Sequence, residues 1–118
     1  MGDYKLSFEN AIHIQIYVLS IYQVVFDGIA QQFLAVQAPK PDMFSGFWQL
    51  VVDQNVSLII MITKLVENQK RKAHQYWPDE VGQEIKLEHG IKVKFEKEEV
   101  IERIFKRQLK VAVKGNFD

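Results

Sequence analysis

Apolar residues alternate with polar ones at both ends of this chain, and period two is a pattern only an extended strand uses efficiently. Ile12, Ile14, Ile16 and Val18 alternate with His13, Gln15 and Tyr17. Ile12, Ile16 and Leu19 also fit a helix face, but β-branched residues dominate and favour strand. Asp27-Gly28 supplies turn chemistry, so Phe33 to Val36 is expected as the returning strand of a hairpin-like pair. Further on, Ile85 and Leu87 alternate with charged residues, His89-Gly90 offers a turn, and Ile91, Val93 and Phe95 alternate with lysines and Glu96. That is the signature of an antiparallel ribbon with one wet face.

Pro39 and Pro41 separate the first hairpin from the clearest helix, expected over about 42–54 with Asp42 or Ser45 as cap. Phe44, Phe47, Trp48, Val51 and Val52 give it one broad apolar face. Asn55 ends it, and Val56 to Thr63 is a continuous apolar run of the kind found in central strands buried on both faces. Lys64 to Pro78 reads as a polar loop with a basic knot at Lys70-Arg71-Lys72. Glu98 to Val113 is ambiguous: Val100, Ile101, Ile104 and Phe105 fit a helix, whereas Leu109, Val111 and Val113 fit a strand.

Composition limits the chemistry. The chain has 118 residues, enough for one core, and fifteen basic residues balance fifteen acidic ones. This neutrality gives no electrostatic argument for nucleic acid or a membrane surface as partner. The total absence of cysteine excludes disulfides, thiolate metal sites and cysteine-nucleophile mechanisms from these residues. His13, His74 and His89 show no metal-ligand spacing, and no metal or other cofactor is expected. Met1 to Asn10 lacks the order of a secretory leader, and Ala11 to Phe26 is too short and too interrupted for a spanning helix. A cytoplasmic protein is the expectation.

Phe33-Leu-Ala-Val-Gln-Ala-Pro-Lys-Pro-Asp-Met-Phe-Ser-Gly-Phe-Trp48 resembles the tyrosine-phosphatase motif F-I-A-T-Q-G-P-L-P-x-T-x-x-D-F-W. Asn55 to Glu67 resembles the central strand of that family and its exit. Glu67, Lys72 and Tyr76-Trp77-Pro78 resemble E-x-x-x-x-K-C-x-x-Y-W-P, with Ala73 in place of the cysteine. The chain is thus similar to the classical protein tyrosine phosphatases, strongly over 26–78 and more weakly over 79–105. The resemblance implies a single truncated α+β domain over 1–118, the N-terminal half of a twisted mixed sheet with one helix.

It also implies what is missing. The family's nucleophile is a cysteine in an H-C-x-x-G-x-x-R-S/T loop, where a thiolate attacks phosphorus and the arginine clamps the phosphoryl oxygens. Neither that loop nor the K-N-R-Y recognition motif occurs here. Trp77-Pro78-Asp79 spells the letters of the family's acid-bearing loop but stands at the Y-W-P position, so Asp79 is not that acid. By position, Glu67 matches the glutamate that holds the phosphate-loop arginine, and Lys72 matches the lysine that contacts the acid-bearing loop. Without those partners both are expected as solvated charges.

The expected function is therefore a catalytically inactive, phosphatase-like chain that binds a protein. Short inactive copies of this kind resemble those of the bracoviruses carried by parasitoid wasps, a set associated with host-cell signalling and immunity. That resemblance places the chain in host cytoplasm. Lys70, Arg71, Lys72, Tyr76 and Trp77 form the candidate interaction patch. An uncovered sheet edge would favour self-association, unless the unmatched ends 1–21 and 106–118 replace the missing cover. The alternatives are a remnant without function and a residual phosphatase using His74 or Asp79.

Overall fold

A computed structural model describes the backbone of residues 2–8 and 12–114, whose contacts gather into two units, Met1–Ala38 and Pro39–Asp118. The first unit is a three-stranded antiparallel sheet in the order β1 (Gly2–Phe8), β2 (Ile12–Phe26), β3 (Ile29–Val36). The alternation beginning at Ile12 is strand. Phe26 pairs with Ile29 around Asp27 and Gly28, both at positive φ (52° and 78°), as a two-residue hairpin turn requires. The returning strand begins earlier than Phe33, and its register with β2 shifts between Val18 and Ser20. Ala11 and the end of the chain at 115–118 lie outside the described residues.

In the second unit a 3-10 turn, Pro41–Met43, leads into α1 (Phe44–Asp53). Neither Asp42 nor Ser45 caps the helix, because the 3-10 turn runs into it and Met43 takes the cap position without a side-chain bond. The Ser45 hydroxyl instead donates to the Glu88 carbonyl at 3.2 Å. Asn55, at φ 52°, ends the helix as expected. The Val56 amide reaches back to the Val51 carbonyl and the Asn55 amide to that of Val52, which satisfies two carbonyls left open by the last turn.

The remaining strands are β4 (Val66–Glu67), β5 (Lys70–Arg71), β6 (Glu84–Lys86), β7 (Ile91–Ile101) and β8 (Ile104–Val113). β4 and β5 make a small hairpin inside the segment expected as loop, and β6-β7-β8 is a three-stranded sheet. The ambiguous stretch is strand: β7 continues to Ile101, turns at Glu102-Arg103 and returns as β8. Every strand pair among the described residues is antiparallel, so the fold is α+β without the parallel pairing of a mixed sheet.

The run from Val56 to Thr63 is not a central strand. It joins none of the three sheets, and Leu58, Ile60 and Ile62 are 72%, 69% and 91% exposed. A strand buried on both faces needs a neighbour at each edge, and the described residues supply neither. The core lies elsewhere: Phe47, Trp48 and Leu50 of α1 are buried, as are Ala73, Tyr76 and Trp77 of the following loop and Ile91, Val93 and Phe95 of β7. Val52, expected on the apolar helix face, is 40% exposed.

Candidate functional site

The segment from Glu67 to Asp79 divides into an exposed half and a buried half. The β4-β5 turn places Lys70, Arg71 and Lys72 at the surface. Glu67 Oε1 accepts from the Lys64 amide at 3.2 Å, which closes its own loop. Lys72 is tied through its backbone, its amide donating to the Leu65 carbonyl at 2.8 Å. Arg71 Nη1 donates to the Ala73 carbonyl at 3.4 Å. Ala73, where the family motif has cysteine, is buried.

Tyr76 and Trp77 do not join the basic residues in one surface. Their rings are in the core, which removes them from any stacking role at the surface. Phe47 packs edge-on against Tyr76 at 4.6 Å between ring centroids, and Tyr76 against Trp77 at 4.9 Å. The Trp48 Nε1–H donates to the Tyr76 carbonyl at 2.8 Å, pinning the Y-W-P backbone to α1. Of the five residues expected as an interaction patch, Lys70, Arg71 and Lys72 are exposed and Tyr76 and Trp77 are buried.

Spacing alone did not single out Arg107. Its guanidinium carbon lies 4.9 Å from the Trp77 ring centroid and 5.0 Å from that of Phe105, and its Nε bonds Glu98 Oε1 at 3.2 Å. This places a cation against the faces of two aromatic rings and closes the edge of the cluster. Alternation through Leu109, Val111 and Val113 put Arg107 on the inward-facing parity of a strand, the available signal for its position.

Burial pushes the Tyr76 phenol above its ordinary pKa, and the Arg107 charge pulls the other way. The folded state therefore holds the phenolic proton more tightly than the unfolded chain. This stabilisation is fully present below about pH 10, where the unfolded phenol ionises, and is lost as the pH rises through the folded value. Urea midpoints measured from pH 8 to 11 are expected to fall at the alkaline end, and Tyr76→Phe is expected to flatten that fall.

Asp79 Oδ1 accepts from Gln75 Nε2 at 3.1 Å, and the same amide donates to the Trp77 and Pro78 carbonyls. Asp79 thus belongs to the turn that ends the motif. The histidines lie on different elements, His13 on β2, His74 after β5 and His89 before β7. Among the described residues no three metal-ligating side chains come together, and no helix is long and apolar enough to cross a membrane.

The family pattern described as Protein-tyrosine phosphatase matches residues 5–117 of this chain, which include α1, the Tyr76-Trp77-Pro78 segment and the ribbon. The chain belongs to the protein-tyrosine phosphatase family, and its α+β fold is part of that family's domain. It is 38% identical over 79 residues to Tyrosine-protein phosphatase 99A of Drosophila melanogaster, an alignment covering 67% of this chain and 6% of that protein. It is 37% identical over 60 residues to Tyrosine-protein phosphatase non-receptor type 4 of Homo sapiens, covering 51% of this chain and 6% of that one. With Tyrosine-protein phosphatase non-receptor type 7 of Homo sapiens it shares 39% identity over 64 residues, 54% of this chain and 18% of the other. These alignments span less than a fifth of each relative.

Proposed function

We propose that this chain acts by binding a protein partner and does not hydrolyse phosphotyrosine. The observation that carries the binding reading is the apolar tract from Val56 to Ile62, in which Leu58, Ile59, Ile60 and Ile62 are exposed and which pairs with no sheet among the described residues. Exposed apolar surface with free backbone groups favours association with another polypeptide, most simply a strand laid alongside it. The non-catalytic half rests on chemistry. No residue of the 118 supplies a thiolate nucleophile, and removing one catalytic group typically costs two to three orders of magnitude or more. Glu67 and Lys72, the positions matching the family's supporting residues, are spent on their own loop or directed to solvent. The resemblance to inactive phosphatase-like proteins of parasitoid-wasp viruses extends the reading to host signalling proteins as partners, met in the cytoplasm.

Two measurements on the 118-residue chain test this. Incubation with a phosphotyrosyl peptide is expected to release no phosphate above the buffer rate. Turnover that follows the protein through purification and falls in His74→Ala or Asp79→Ala would sink the non-catalytic half. For the binding half, a second copy serves as the partner at hand. Light scattering is expected to show mass rising with concentration above the 13.8 kDa of one chain, and Ile60→Lys with Ile62→Lys to return it to one chain. A single-chain mass at all concentrations, unchanged by the substitutions, would count against the tract.

A further inference from the structure

The ribbon formed by β6, β7 and β8 has two very different faces. Ile91, Val93 and Phe95 are buried on one, so the residues between them stand on the other. There the antiparallel register sets Lys86 directly across from Lys92, and Lys94 directly across from Lys110. Like charges in that relation oppose strand pairing. Glu84 also lies across from Lys94, yet none of these four lysines forms an ion pair among the described residues. Lys97, further along, is taken by Glu99 at 2.7 Å. Four cations of a chain with no net charge thus share one sheet face with Glu84, and two like-charged pairs oppose each other across it at a cost to strand pairing. Such local violations of folding rules concentrate where function needs them.

We infer that this lysine face binds an extended acidic segment of a partner protein, one with carboxylates at alternate positions. The inference rests on the protein-binding reading above and names the chemistry of the partner. Same-face residues on a strand recur at about 6.6 Å and neighbouring strands lie about 4.8 Å apart. An extended ligand laid along β7 therefore repeats its alternate side chains at the spacing of Lys92 and Lys94, with Lys86 and Lys110 flanking. Lysines act here as point charges, which suits carboxylates without demanding a fixed bidentate geometry. Single-stranded nucleic acid is disfavoured because the four lysines have no aromatic side chain among them on which bases would stack. An anionic bilayer offers diffuse charge with no strand-like repeat to match Lys92 and Lys94, and the vesicle titration distinguishes it.

The test is fluorescence anisotropy of a labelled peptide alternating glutamate and serine, titrated with the 118-residue chain at low and at physiological salt. Binding is expected to weaken with salt and to be absent for the glutamine version of the peptide. Lys110→Glu is the diagnostic variant. Opposing charges then face each other at Lys94, so the urea midpoint is expected to rise while peptide affinity falls about tenfold. A lysine with only a structural role would move both in the same direction. The inference is overturned if the glutamate peptide does not bind, if Lys110→Glu leaves its affinity unchanged, or if phosphatidylserine vesicles or oligothymidine bind as tightly. A failed titration alongside the expected absence of turnover and the expected loss of association in the tract variant removes this inference alone. Phosphotyrosine turnover would remove the non-catalytic reading and leave the lysine face standing.

Discussion

Replacing Trp48 by alanine is expected to unfold most or all of the 39–118 unit at room temperature. Trp48 is 1% exposed and lies 5.2 Å from Phe47 and 5.8 Å from Tyr76 between ring centroids. Truncating a buried tryptophan removes apolar contact and leaves a cavity, together costing about 3–5 kcal/mol. The variant also strips the donor from the Tyr76 carbonyl, and a buried acceptor left open adds about 1–3 kcal/mol. Domains of this size hold on the order of 5–15 kcal/mol in total, so the sum consumes most of the margin. Urea unfolding followed through Trp77 fluorescence checks this. Trp48→Phe separates the two contributions, since it keeps a ring and loses the donor. It is expected to shift the midpoint by less than half as much. A Trp48→Ala midpoint within error of the parent would mean that α1 is not pinned to the Tyr76-Trp77 segment.

The same residues show why part of the fold was legible in the sequence. Phe44, Phe47, Trp48 and Val51 recur at helical spacing, and α1 forms where they predict it. Ile91, Val93 and Phe95 alternate, and all three are buried on one face of β7. Val56 to Thr63 misled because hydropathy reports the environment a segment would prefer, whereas burial requires neighbours at both strand edges. Val100, Ile101, Ile104 and Phe105 misled for another reason. They are two cross-strand pairs around the Glu102-Arg103 turn, Val100 with Phe105 and Ile101 with Ile104, and four apolar positions around a two-residue turn imitate a helix face. Tyr76 and Trp77 next to three basic residues suggested a surface patch, but adjacency along a chain does not place side chains on one surface. Arg107 escaped notice because a cation placed against Trp77 and Phe105 depends on which strand faces the loop, a property of topology rather than of spacing.

Phe95→Ala is the second large effect expected, and it bears on both faces of the ribbon. The side chain is 2% exposed in the central strand, so its removal is expected to cost about 3–5 kcal/mol. Its backbone also holds the preceding loop: the Gly82 amide donates to the Phe95 carbonyl at 2.8 Å, and the Phe95 amide to the Gln83 carbonyl at 2.9 Å. The register of β7 against β8 shifts immediately beyond it, between Phe95 and Lys97. Loss of the ring thus loosens the point where β6, β7 and β8 are held in register. Because Lys94 and Lys110 face each other only in that register, the variant is expected to lose both its urea midpoint and its affinity for an acidic peptide. Lys110→Glu is expected to raise the first and lower the second. Opposite signs in one variant and a common sign in the other would separate what the ribbon does for folding from what its lysines do for binding. If Phe95→Ala kept full peptide affinity while destabilised, the cation spacing would not be set by the sheet, and the lysine face would reduce to non-specific charge.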